Sequence, residues 1–246
     1  MGIPKEKNKF KAIIIGATSG IGRELAKLLS NSGYIIGATG RRKYLLSTLK
    51  KEVKTDIIVR YMDISKTNEA VIILDQLINE LDGLDLLIIN AGLNEMNPNL
   101  ELDVELNIIS VNVVGFTTIA TYAINYFIKQ KKGHLVGISS IAALRGSDKA
   151  PAYPASKAYL SNYLQGLRKK VMKLDMPITV TDIKPGYIKT SMSEGKKSFW
   201  MTTVENACSQ IVKSILKKQS YVYITKKWRI IAWIMRYTPD WIYNRL

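Results

Sequence analysis

Short apolar runs alternate with longer amphipathic stretches along most of the chain. Residues 10–15 (Phe-Lys-Ala-Ile-Ile-Ile) read as a buried strand, followed by a glycine turn and a helix to about residue 30. The alternation continues with strands expected at 34–38, 56–61, 84–89, 134–138 and 178–183. Helices are expected over 42–51, 66–81 and 104–129, with another carrying Tyr153 and Lys157. Strands rich in Ile, Leu and Val that alternate with helices are the pattern of parallel βαβ units covered on both faces, joined by right-handed crossovers. The expected fold class is α/β: a three-layer αβα, doubly wound parallel sheet in a single domain over 1–246. No linker, repeat or composition break interrupts it. Two segments leave the pattern. Residues 187–201 are turn-rich and basic and are expected to form a flap, whereas residues 226–246 form a basic tail holding Trp228, Trp233 and Trp241.

Composition narrows the chemistry. A chain of 246 residues buries a sizeable core. Cys208 is the only cysteine and His134 the only histidine, which excludes an intramolecular disulfide and a multi-cysteine metal site. His134 sits where a turn enters an apolar strand, so a structural role and no metal site are expected. The net charge of +16 raises nucleic acid or an anionic membrane as partners. The cations are spread along the chain and no zinc-finger, helix-turn-helix or RNA-recognition pattern accompanies them, so no nucleic-acid partner is expected. Residues 1–11 are polar and basic with no apolar core after them, and a cytoplasmic protein is expected. Residues 106–128 carry no charge and are long enough to span a bilayer. Asn107, Ser110, Asn112 and Asn125 punctuate them, which fits a helix covered by a sheet on one side and a second subunit on the other. A homodimer or homotetramer follows. The tail has two open readings: an interfacial anchor giving peripheral contact with the inner membrane face, or an apolar face packed on the substrate pocket or a neighbouring subunit.

Three groups of residues point to chemistry. Gly16-Ala17-Thr18-Ser19-Gly20-Ile21-Gly22 follows the first strand and opens a helix, where glycines permit a tight turn and the helix N-terminus offers free N–H groups to a phosphate. After the second strand, where a dinucleotide fold offers a carboxylate to a ribose 2′-hydroxyl, stand Arg41 and Arg42. Guanidiniums there suit a 2′-phosphate, hence NADP(H), although a solvated basic helix start would read the same way. Finally, Tyr153 and Lys157 lie four apart on one helix face, thirteen residues beyond Ser140. An ammonium one turn away is expected to lower the phenol pKa towards the range of a proton shuttle. Taken alone, the pair is also what a helix with one aromatic and one surface lysine would show.

Together these motifs resemble the short-chain dehydrogenase/reductase family in its single-domain, Rossmann-type form, over most of the chain to about residue 190. Asp63-Ile64 after the third strand resembles the family's adenine contact, Asn90-Ala91-Gly92 its Asn-Ala-Gly turn, and Pro185-Gly186-Tyr187-Ile188-Lys189-Thr190 its nicotinamide-carboxamide segment. Asn112, Ser140, Tyr153 and Lys157 match its catalytic tetrad. The resemblance implies cofactor contacts from Gly16, Thr18, Ser19, Gly20, Ile21, Gly22, Arg41, Arg42, Asp63, Ile64, Asn90, Ala91, Gly92, Tyr153, Lys157, Pro185, Gly186, Ile188 and Thr190. It also implies a mechanism. Tyr153 exchanges a proton with the substrate oxygen, Ser140 positions that oxygen, Lys157 tunes Tyr153 and bonds the nicotinamide ribose, and Asn112 holds a water. Ile15 departs from the threonine that often precedes the first glycine, which removes one loop hydrogen bond. The apolar residues Leu93, Met96, Leu144, Met192, Phe199, Trp200 and Met201 suit a hydrophobic carbonyl or alcohol substrate, or else pack in the core. The reading is an NADP(H)-dependent carbonyl/secondary-alcohol oxidoreductase, with a membrane-associated cofactor-binding scaffold without turnover as the alternative.

Overall fold

Seven parallel strands form one sheet in the order β3-β2-β1-β4-β5-β6-β7 in a computed structural model that describes residues 10–189, 200–243 and 245. The strands are β1 (Lys11–Ile15), β2 (Ile35–Gly40), β3 (Ile57–Tyr61), β4 (Leu86–Ile89), β5 (Gly133–Ile138), β6 (Ile178–Pro185) and β7 (Tyr221–Ile224). The helices are α1 (Gly20–Asn31), α2 (Lys43–Leu49), α3 (Thr67–Glu80), α4 (Leu102–Ile109), α5 (Phe116–Gln130), α6 (Ala152–Lys173), α7 (Val204–Leu216), α8 (Trp228–Tyr237) and α9 (Asp240–Tyr243).

The central strands lack polar alternation because both faces are covered. Register carries the period of two across the sheet: Ile13 pairs with Leu87 and Leu87 with Leu135, while Ile14 pairs with Ile88 and Ile88 with Val136. The first row enters a core built with Leu74, Leu77 and Ile78 of α3, Ile119, Ala123 and Phe127 of α5, and Leu160 and Leu164 of α6. The second row enters a separate core with Leu25 and Leu29 of α1, Leu46 and Leu49 of α2, and Ile211 and Ile215 of α7. These are the three layers that the pattern of runs predicts. Strand order reverses between β1 and β4, so a crevice opens at their carboxyl ends, the usual ligand position in such sheets.

Two features correct the sequence reading. The stretch expected as one α-helix over 104–129 runs from α4 through a π-helical segment, Ser110–Gly115, into α5. Gly115 is needed there, since a Cβ would stand 2.5 Å from the Ile64 carbonyl oxygen. The whole helix, Leu102–Gln130, is long and apolar enough to cross a membrane. Half of its most apolar window is buried, and Ile108, Phe116, Ile119, Ala120 and Phe127 pack inside the protein. The second correction is the segment after residue 200, for which no strand was expected. It supplies α7 and a seventh strand, β7, which pairs with β6 from Asp182↔Tyr221 to Pro185↔Ile224. Residues 190–199 of the expected flap, Thr190, Met192 and Phe199 among them, lie outside the described residues.

Candidate active site

The glycine turn after β1 is locked to the neighbouring strands. Gly16 has φ +89, and its N–H and that of Ala17 both donate to the Thr39 carbonyl oxygen, at 3.0 and 2.8 Å. A side chain at Gly16 would stand 2.6 Å from the Ala91 nitrogen. Asn90, just past β4, donates its amide to the Gly16 carbonyl at 2.7 Å, tying the two loops across the switch point. Gly22 permits this contact: a Cβ there would lie 2.1 Å from the Gly16 oxygen and 2.6 Å from Asn90 Nδ2. The first turn of α1 has neither a side-chain cap nor an acidic residue, so its N–H groups retain their capacity for an anion.

The two arginines after β2 divide their work. Arg42 reaches back to the glycine turn, where Nη2 donates to Thr18 Oγ1 and Ser19 Oγ, both at 2.6 Å. Arg41 is exposed and has no hydrogen-bond or ion-pair partner among the described residues. Of the pair offered by the sequence to a 2′-phosphate, Arg42 is a brace for the loop, while the Arg41 guanidinium is unengaged among the described residues. Ile21, half-buried, packs against the second core. Asp63 is turned inward on its own chain, its Oδ1 accepting from the N–H and hydroxyl of Ser65, and Ile64 is buried beneath the π segment.

Ser140, Tyr153, Lys157 and Asn112 converge at the carboxyl end of β5. Ser140 follows that strand and caps a short 3-10 turn, Ile141–Leu144, accepting from the Ala142 N–H at 3.1 Å. Tyr153 and Lys157 lie in the first turns of α6 as the spacing predicts, with Lys157 Nζ 5.8 Å from the phenol ring centroid. Lys157 is 5% exposed and donates to the Ile138 carbonyl at 3.0 Å. Its other N–H groups have no acceptor among the described residues. Asn112 sits in the π segment. Its Oδ1 accepts from the Leu93 N–H at 2.7 Å, and its Nδ2 donates to the Leu93 carbonyl at 2.8 Å and to Ser156 Oγ at 2.9 Å. Ser156 in turn donates to the Tyr153 carbonyl, so Asn112 fixes the loop after β4 against the first turn of α6. Gly92 completes the fit, as its Cβ would come 3.2 Å from Asn112 Oδ1 and 3.3 Å from Lys157 Nζ.

The electrostatics correct one expectation. Tyr153 is held above its ordinary pKa rather than below it: burial dominates, the Ser140 hydroxyl opposes it, and Tyr187 adds to the rise. Lys157 is itself depressed by burial, which brings its pKa down to about 8, while the carboxylate of Asp182 pulls the other way.

Asp182 was not found from sequence. It is 2% exposed, accepts from the hydroxyls of Ser139 and Ser161, and pairs with Lys184 at 2.8 Å. Two opposite charges two apart in a buried strand, Thr-Asp182-Ile-Lys184-Pro, were the available signal, since such residues share one face of the strand. Arg145 was also missed. It follows the 3-10 turn and clamps the tail, donating to the carbonyls of Met235 (2.7 Å) and Thr238, and to the Asp240 carboxylate at 2.7 Å. Trp228, the first residue of α8, packs its indole on Gly186, where a Cβ would stand 2.2 Å from Nε1. That buried indole N–H has no acceptor among the described residues, and the ring meets Tyr187 edge-on at 5.4 Å. Pro185 and Gly186 therefore end β6 against the tail, with Ile188 buried and bridged to Thr202. His134 lies away from the site, bonded to Thr181 Oγ1 at 2.8 Å, and burial lowers its pKa to about 4.

The arrangement is a glycine turn beside a serine–tyrosine–lysine group. The profile of the family described as short chain dehydrogenase matches residues 11–199. An uncharacterized oxidoreductase of Myxococcus xanthus is 34% identical over 187 residues, covering 74% of this chain and 73% of its own. An 11-beta-hydroxysteroid dehydrogenase A of Sesamum indicum is 25% identical, over 94% of this chain and 74% of its own. A solved structure described as a short chain dehydrogenase/reductase family protein superposes with a TM-score of 0.75 at 21% identity, covering 87% of this chain and 95% of that one, a likeness of fold. This chain belongs to the short-chain dehydrogenase/reductase family, whose oxidoreductases use nicotinamide cofactors.

Proposed function

We propose that the protein is an NADP(H)-dependent oxidoreductase that interconverts a carbonyl and a secondary alcohol on a hydrophobic substrate. The observation that carries this reading is the convergence of Ser140, Tyr153 and Lys157 beside a glycine turn that has Arg41, and no carboxylate, at the end of β2. The residues fit a dinucleotide: the glycine turn lies at the switch point between β1 and β4, the first turn of α1 is uncapped, and Lys157 keeps buried donors in hand. When bound, the cofactor supplies or accepts the hydride.

The chain's own residues handle the proton and the geometry. Burial holds the Tyr153 phenol protonated at neutral pH, so its hydroxyl is ready to give a proton to a carbonyl oxygen. Ser140 Oγ, against that phenol, positions the same oxygen. Lys157 contributes a cation that is easily discharged, and its free N–H groups suit the hydroxyls of the nicotinamide ribose. Asn112, with its side chain committed to Leu93 and Ser156, sets the distance between the β4 loop and α6. A hydrophobic substrate is supported by half-buried Leu93, bonded to Asn112, and Leu144, in the turn capped by Ser140, and by the steroid-named relative. The exposed apolar row Leu102, Leu106, Ile109, Val114 and Tyr159 supports a second copy of the chain against α4–α6, which sedimentation would test. A scaffold without turnover has no observation in its favour.

The test is fluorescence titration with NADPH and NADH. A charged hydrogen bond to a phosphate is worth about 1.5–3 kcal/mol, so Arg41→Glu should weaken NADPH by roughly 10- to 100-fold and leave NADH within a few-fold. Tighter binding of NADH by the unmodified protein would refute the NADP(H) assignment.

A further inference from the structure

We propose that the outer face of α8 and α9 docks on an anionic lipid surface and so brings the turn capped by Ser140 close to it. The two faces of α8 divide cleanly. Trp228 and Ala232 are buried, and with Ile231 and Met235 they pack on Ile141, Leu144 and Tyr223. A helix on the surface of a soluble domain normally turns polar residues outward. At 3.6 residues per turn, the sector opposite Trp228 holds Ile230, Trp233, Ile234 and Tyr237, all exposed, with Trp233 at 65%. Trp241 and Ile242 of α9 continue the same exposed character. A helix apolar on both sides needs a cover on both sides.

Charge selects the cover. Residues 226–246 hold five cations (Lys226, Lys227, Arg229, Arg236 and Arg245) and one carboxylate, Asp240. Arg145 pairs with that carboxylate, so it is already neutralised. Arg229 and Arg236 are neighbours along one edge of the apolar sector, which is the arrangement of an interfacial helix with cations at headgroup level and aromatics below. A second copy of this cationic segment would be repelled, whereas anionic headgroups complement it.

The segment is also a rigid platform. Arg145 binds Met235, Thr238 and Asp240, and Tyr243 donates to the Gly146 carbonyl at 2.8 Å. Those anchor points follow directly on the turn capped by Ser140. The buried indole of Trp228 meets Tyr187 and Trp200 edge-on, and Tyr187 acts on Tyr153. A surface bound to the outer face of α8 thus lies one helix thickness from the turn capped by Ser140, convenient for an amphiphilic substrate that resides in lipid.

The experiment uses the full chain and vesicles of phosphatidylcholine, with or without phosphatidylglycerol, read by flotation and tryptophan emission. The expected result is binding that requires phosphatidylglycerol, shifts the emission to the blue and weakens as salt rises to about 0.5 M. Combined Trp233→Ser and Ile234→Ser should weaken binding at least tenfold with the circular dichroism unchanged, while Ile72→Ser, an exposed apolar position on α3, should not. Arg229→Glu with Arg236→Glu should weaken it as well. Failure of the unmodified protein to bind at low salt would overturn the proposal. So would an outer-face variant that binds normally, or one that lowers the molar mass in lipid-free solution, since a second copy would then be the cover.

Discussion

Replacing Lys157 by methionine should flatten part of the pH dependence of stability as well as remove activity. Lys157 has an ordinary pKa of 10.5 and stands at about 8 in the folded protein because it is buried. Below about pH 8 it is protonated in both the folded and the unfolded chain, and the folded state carries the full cost of burying the charge. Between about 8 and 10.5 the unfolded chain holds a proton that the folded one has released, so stability rises with pH. Each pH unit in that window is worth about 1.4 kcal/mol, which gives roughly 2 kcal/mol between about pH 7 and pH 9.5. Lys157→Met has no such titration. Urea unfolding of both proteins across this range should therefore show the unmodified protein gaining about 2 kcal/mol relative to the variant. Other groups that titrate here are common to both proteins and cancel in the difference. Parallel curves would show that Lys157 is not desolvated, and the account of a buried, easily discharged cation would fall with them. A charge kept in the interior at such a cost to stability is what a functional site shows.

Two further outcomes follow from the same geometry. Gly22→Ala places a Cβ against the Gly16 oxygen and Asn90 Nδ2, so the turn must shift; dinucleotide affinity should fall at least tenfold and stability by about 1–3 kcal/mol, read by fluorescence titration and thermal melting. Because the Tyr153 pKa is raised, carbonyl reduction should hold constant through neutral pH while alcohol oxidation climbs with pH; an oxidation rate already level at about pH 7 would contradict this.

The positions of the first six strands were legible because short apolar runs, clearest in β1 (Lys-Ala-Ile-Ile-Ile) and β4 (Leu-Leu-Ile-Ile), alternate with longer amphipathic stretches. The Tyr153–Lys157 pair was legible because helical spacing alone sets it on one face. What escaped was determined at long range or by small differences. β7 is only four residues, with Tyr221 exposed at its start, and its identity as a strand comes from pairing with β6. The π segment around Asn112 differs from α-helix by a shift of hydrogen bonds that leaves composition unchanged. Arg145 meets Asp240 ninety-five residues away, and Arg42 meets Thr18 twenty-four residues back, so neither contact has a local signature. The direction of the Tyr153 shift also needed the structure, since spacing reports the neighbouring cation but not the burial that dominates there.

The central claim is that Tyr153 moves a proton beside a bound nicotinamide. The most direct test is NADPH oxidation against a panel of hydrophobic ketones, followed at the nicotinamide absorbance band, for the unmodified protein and Tyr153→Phe. The account predicts turnover by the former, a loss of at least about 100-fold in the variant, and NADPH affinity unchanged within a few-fold. A variant that reduces ketones at the unmodified rate would contradict it.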